Sequence, residues 1–282
     1  MIIKNTIAII CTVFTIALNA QEIIPFRITK YNNIIVKTVV NEKDSLDLMF
    51  QIAMQDASIS PERLRPAKSI VFKNDVSENN SVKIGNLQWN NVKFYDNELT
   101  GPEADGKIGT AIFKGKTYQI DFDNSQFVIY DQLPDLTGYK EVSYTSTKEG
   151  QIFLACDNRI GAESFEASFL LQSGYSGGLL YSNTIADARD LNQKLKVTGE
   201  KTLKNSAGKS VITKQGILPE LIITDISLKD VSAGFFAGDI KTQKVSYFGA
   251  DLIRRFNWIF DAEKQMIYIK PSQYFNEPYF KI

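Results

Sequence analysis

The chain carries one apolar-glycine unit twice, and this internal repeat constrains its architecture more than any other feature. Lys107-Ile108-Gly109-Thr110-Ala111-Ile112-Phe113 is followed by the strand-like runs Tyr118 to Phe122 and Gln126 to Tyr130, with Asp123-Asn124-Ser125 between them. Tyr247-Phe248-Gly249-Ala250-Asp251-Leu252-Ile253 is followed by Phe256 to Asp261 and Gln265 to Ile269. An aspartate stands twelve positions after the glycine in both copies, Asp121 after Gly109 and Asp261 after Gly249. Repetition of a β-rich unit implies two similar lobes with a cleft between them.

Upstream of each glycine the repeat continues. Leu46-Asp47-Leu48-Met49-Phe50 leads into Gln51-Ile52-Ala53, and Phe169-Leu170-Leu171 leads into Gln172-Ser173-Gly174-Tyr175-Ser176-Gly177-Gly178. Large apolar residues suit strands covered on both faces, and the glycines after Gln172 permit backbone shapes that a Cβ forbids. Gln51 lies 58 positions before Gly109 and Gln172 lies 77 before Gly249, so the second copy is longer. The extra length is assigned to the polar stretch 192–215.

The first copy opens with Ile23 to Ile28 and Ile34 to Val40, β-branched runs joined through Tyr31-Asn32-Asn33. Ser58-Ile59 reads as a return strand, and Ser60 as N-cap with Pro61 at the first helical position predicts a short helix there. Lys83 to Asp96 alternates about Asn90-Asn91 and predicts a hairpin turning at that pair. Asp131 to Gly138 breaks strand patterning, which places the lobe boundary within Pro134 to Tyr139. Asp56 reads as a surface or helix-approach residue and Asp105 as a turn former before Gly106. Gly208-Lys209-Ser210 has Leu203 where a phosphate loop requires glycine, so it carries no phosphate-binding signal.

Two apolar residues, Asp, Ser or Thr, Gly and a small residue form the turn motif of the aspartic peptidases of the pepsin and retropepsin type, and here Gln172 stands at the Asp position. The Gln172-Ser173-Gly174 turn, the weaker Gln51-Ile52-Ala53 turn and the two apolar-Gly blocks together resemble that family over nearly the whole chain after residue 20. The resemblance implies a mainly β fold of two pepsin- or retropepsin-like barrel lobes, residues 21–137 and 138–282, with a cleft between them and few short helices. It implies that Gly109 and Gly249 support the two turns from behind, and that the Trp89-Asn90 hairpin is the flap region. The other reading of Trp89 is a surface hairpin residue packed on the core.

The family's chemistry needs two aspartates sharing a proton, one acting as base on water and the other donating to the substrate carbonyl. Here both positions, Gln51 and Gln172, are amides that cannot do either. Ser173 keeps the family's hydroxyl and Gly174 its glycine, whereas Ile52 and Ala53 lack both. With Asp56 aligned as a substitute, polar Gln55 falls where the family has an apolar residue.

Composition closes other routes. The chain has no histidine among its 282 residues, which removes Ser-His and Cys-His nucleophiles and every histidine-bearing zinc site. No metal or other cofactor is expected. Lys plus Arg and Asp plus Glu each number 32, so nothing attracts a nucleic acid. Residues 1–20 have the layout of a secretory signal peptide, with Ile7 to Leu18 too short to span a bilayer well. Export to the periplasm or medium is expected, with lipidation at Cys11 the lesser alternative because that cysteine lies inside the apolar run. Cys156 then has no partner for a disulfide and reads as a buried apolar thiol.

The resulting expectation is an exported aspartic-peptidase-like protein without catalysis, holding a peptide or protein ligand in its cleft. The alternatives are an active aspartic-type endopeptidase with a substituted acid, and a structural β protein whose cleft is closed and whose two glutamines bond to each other.

Overall fold

The computed structural model describes residues 21–204, 210–238 and 240–280. The signal-peptide segment with Cys11, and Gly208-Lys209, lie outside the described residues. The chain forms two β-barrel lobes joined by a shared sheet.

In the first lobe Ile34–Val40 and Asp44–Phe50 pair antiparallel, and Asp44–Phe50 then pairs parallel with Gly106–Ile108. Ala57–Ile59 lies between Gly106–Ile108 and Leu87–Tyr95. The second lobe repeats this: Ile152–Ile160 with Glu163–Gln172, Glu163–Gln172 parallel with Tyr247–Gly249, and Leu179–Leu180 between Tyr247–Gly249 and Ile226–Ala237. The burial pattern of Glu163–Gln172 follows its place: it alternates exposed and buried up to Ala167, then Phe169 to Leu171 are all buried where the strand enters the pairing with Tyr247–Gly249. The second lobe also carries the strand Lys196–Lys204 paired with Ser210–Ile223. This pair occupies the polar stretch to which the extra length was assigned.

The shared sheet has six strands in the order Glu22–Pro25, Gln126–Tyr130, Thr117–Asp121, Phe256–Asp261, Met266–Pro271, Lys140–Val142. The repeat units meet at its centre, where Ile120 pairs with Trp258. Phe113 stacks on Tyr118 at 4.1 Å and Tyr118 on Phe260 at 4.8 Å, so one aromatic column crosses from lobe to lobe. Cys156 is buried and free, and burial raises its thiol pKa.

Four local expectations are corrected. Ile23 to Ile28 is not one strand: Glu22–Pro25 joins the shared sheet and Arg27–Ile28 pairs with Ile34–Ile35, because Phe26 between them turns in to pack on Phe122 and Phe127. No helix forms at Ser60-Pro61-Glu62. The Leu64 and Arg65 N–H groups, which a helix would direct to carbonyls four residues back, donate instead to the Asp105 carboxylate at 3.0 and 2.9 Å. Asp105 is therefore a buried anchor and not a turn former; it also accepts from the Asp47 N–H and the Arg65 guanidinium, each at 2.9 Å. The hairpin turns at Gly85-Asn86, where Gly85 has φ +59 and Ile84 pairs with Leu87. Asn90-Asn91 lies within the strand Leu87–Tyr95, opposite a register irregularity where Asn80 donates to the Val92 carbonyl.

Candidate functional site

The two repeats bring their glutamine turns together. Strand Asp44–Phe50 ends at Gln51, whose N–H donates to the Ile108 carbonyl at 2.9 Å, and strand Glu163–Gln172 ends at Gln172 beside Gly249. The Gln51 amide nitrogen donates to the Gln172 side-chain oxygen, which also accepts from the Gly174 N–H at 3.3 Å. The Gln51 Oε1 is buried and has no partner among the described residues.

One hydroxyl locks the turns. The Ser173 hydroxyl donates to the Phe50 carbonyl at 2.8 Å and accepts from the Ile52 N–H at 2.9 Å, so the second turn satisfies backbone groups of the first. The reciprocal lock is missing because Ile52 has no hydroxyl and its side chain is buried in the core. Asn33 and Asn32 supply other ties: Asn33 Nδ2 donates to the Ser173 carbonyl at 2.8 Å and Asn32 Nδ2 to the Ser176 carbonyl at 3.0 Å. By residue type alone this pair reads as a turn. No local signal marks Asn33, whose partner lies 140 positions away; left-handed backbone is adopted at Asn32, φ 66.

Gly109 and Gly249 lie against the turns. A Cβ on Gly109 would stand 2.4 Å from the Gln55 carbonyl oxygen, and one on Gly249 2.2 Å from that of Gly177. Each glycine donates its N–H into the loop it touches, Gly109 to Asp56 at 2.8 Å and Gly249 to Gly178 at 2.7 Å. None of Gly174, Gly177 and Gly178 adopts positive φ, so what they provide is room and not backbone freedom. The space beside Gly174 holds the Gln51 amide; that beside Gly177 holds the Tyr175 ring, which is also packed against Gly234 and Gly249. Burial pushes the Tyr175 hydroxyl up to about 12. Tyr175 is thus a site residue that no motif position marks in the sequence.

Above the paired glutamines is an open groove of about 320 Å³. Met49, Leu99, Thr100, Gly101 and Lys107 line it from the first lobe, and Gly174, Tyr175 and Tyr247 from the second. Neither Trp89 nor Asn90 is among its lining residues: the Trp89 indole N–H donates to the Ile112 carbonyl at 2.7 Å, and Asn90 is exposed. Asp56 is half-buried and also does not line the groove. Among the described residues no cluster of three His, Cys, Asp or Glu side chains is placed to hold a metal ion.

No family model and no curated protein matches this sequence. The structure does match: it is similar to the crystal structure of an aspartic proteinase from Irpex lacteus, with a TM-score of 0.55 and 10% identity, over 92% of this chain and 99% of that one. The fold is that of the pepsin-like aspartic proteinases. At this identity the likeness concerns the path of the backbone, not the chemistry. On this pepsin-like frame the turn tips carry two amides, and among the described residues no carboxylate lines the groove above them. An amide has no group that titrates near neutral or acid pH, so the glutamines can orient a carbonyl or an N–H by hydrogen bonding but cannot act as general acid or base. No described helix is long and apolar enough to cross a membrane.

Proposed function

We propose that this chain is an exported, catalytically inactive aspartic-peptidase-like protein that holds an extended peptide or protein segment in the groove between lobes 21–137 and 138–282. The observation that carries the reading is the Gln51 to Gln172 hydrogen bond at the floor of an open groove. Two carboxylates at that separation share one proton and divide into acid and base. Two amides supply neither state. The groove stays open above them, which favours a binding site over a closed structural core.

The test has two arms. A fluorogenic peptide library incubated with the purified protein from pH 3 to 8 is expected to show no cleavage, whereas a displayed peptide library is expected to yield binders that compete for one site. Pepstatin-sensitive cleavage by the unmodified protein overturns the inactivity claim. Restoring one acid with Gln172→Asp creates no activity, because one carboxylate cannot be ionised and protonated at once. The double change Gln51→Asp with Gln172→Asp gives at most weak cleavage until Ile52→Thr and Ala53→Gly are added, since the first turn lacks its hydroxyl.

A further inference from the structure

The two walls of the groove differ in chemistry. Lys107 and Tyr247 occupy matching places in the two lobes, each two residues before the supporting glycine and each on the strand that runs parallel to a glutamine-bearing strand. They therefore flank the glutamine pair from opposite sides. Among the described residues, Lys107 is the one charged side chain in the groove lining. On the other side Tyr247 and Tyr175 stand with ring centroids 6.3 Å apart, an aromatic wall.

Lys107 has a partner, but a weak one. Its ammonium donates to Glu98 at 3.2 Å, and Glu98 is 40% exposed and does not line the groove. With the Glu98 side chain 40% exposed and that of Lys107 19%, the pair is partly screened by solvent and contributes on the order of 1 kcal/mol, so a second carboxylate arriving from the groove side can compete with Glu98. The ammonium has three donors and Glu98 engages one of them. Side chains of an extended peptide alternate between faces, so consecutive residues of a bound segment address the two walls in turn.

We infer that the groove selects extended segments in which an acidic residue is adjacent to a large aromatic or apolar one, the carboxylate meeting Lys107 and the ring lying on Tyr247 and Tyr175. This rests on the peptide-binding reading above and specifies the class of segment bound.

The experiment is fluorescence anisotropy with labelled, end-capped peptides identical except at a central pair: Glu-Phe, Phe-Glu, Gln-Phe, Phe-Gln and Lys-Phe. At low salt the better Glu peptide is expected to bind about fivefold tighter than its Gln counterpart, the upper range of one exposed ion pair, and the Lys peptide weakest. Raising the ionic strength should shrink the Glu preference. Lys107→Gln should bring the Glu and Gln peptides to equal affinity, and Glu98→Gln, which frees the ammonium, should raise affinity for the Glu peptide. Binding with no difference between Glu and Gln, or a difference that survives Lys107→Gln, overturns this inference and leaves peptide binding standing. Failure of every peptide to bind, whatever its central pair, overturns the peptide-binding reading itself and this one with it. Should Lys107→Gln not fold, the Glu98→Gln variant and the salt series on the native protein decide the question.

Discussion

Ser173 holds more of this site together than either glutamine does. Its hydroxyl is buried and serves one donor and one acceptor of the other lobe's turn. Ser173→Ala takes an acceptor from the Ile52 N–H and a donor from the Phe50 carbonyl, and an orphaned buried polar group costs about 1–3 kcal/mol. Urea unfolding of this variant should show a loss of about 2–4 kcal/mol, with Ser173→Thr recovering most of it. Gly249→Val is the more severe change, because its Cβ meets backbone oxygens of Gly177 and Gly178 at 2.2 and 2.8 Å and the loop cannot yield without losing its hydrogen bonds. A loss of several kcal/mol or failure to fold is expected. Gly161→Ala provides the contrast: a Cβ there meets nothing within 4 Å, so only the φ of +60 is strained and about 1 kcal/mol is lost. Gly249 was legible because its apolar-Gly block repeats that of Gly109, and Ser173 because its turn resembles the aspartic-peptidase motif, although the first turn has Ile52 in place of the hydroxyl. Asn33 was not, since its bond to the Ser173 carbonyl spans 140 positions. Nothing local distinguishes it from any other asparagine in a turn.

At the scale of elements, Asp105 ties three of them together: strand Asp44–Phe50 through the Asp47 N–H, the 61–66 loop through Leu64 and Arg65, and strand Gly106–Ile108, which begins at the next residue. Burial alone would raise its pKa, but the N–H groups of Asp47 and Arg65 and the Arg65 guanidinium outweigh that and hold the carboxyl below the usual carboxylate range. Because the folded pKa is the lower one, the stabilisation is complete above the unfolded value of about 3.9 and is lost as pH falls through the folded value. Chemical unfolding followed from pH 6 to pH 2 should therefore show Asp105→Asn less stable than the parent at pH 6, with the gap closing below about pH 4. The failed helix after Ser60 has the same origin. Ser60 and Pro61 are residue types that start helices, yet a carboxylate some 40 positions away takes the N–H groups the helix would need. Strand pairs such as Thr117–Asp121 with Gln126–Tyr130 were readable because their partner lies a few residues off.

Across the whole molecule the lobes share one core. The column from Phe113 through Tyr118 to Phe260 crosses the six-stranded sheet, and Asn257 of the second lobe accepts from the Phe122 N–H of the first at 2.8 Å. Gln55, on the Gln51 turn, donates to the Glu149 carbonyl across the seam at 2.9 Å. Lobes joined this way should unfold together, so differential scanning calorimetry should show a single transition with calorimetric and van't Hoff enthalpies in agreement. Tyr118→Ala, which removes the middle ring of the column, should lower stability by about 3–5 kcal/mol without splitting the transition. Two resolved transitions in the parent would mean that the lobes are independent domains.

The repeat of apolar-Gly units and glutamine turns is written in local sequence, because alternation, glycine spacing and strand-turn-strand order are properties of short windows. It sufficed for the two-lobed β architecture and for the positions of Gln51 and Gln172 in their turns. Tertiary structure alone decided that the two amides bond to each other under an open groove, that Lys107 and Tyr247 face that groove, and that Asp105 is a buried anchor. Each of these depends on which distant strands become neighbours. That choice is made by burial summed over the whole core, and no window of the sequence contains it.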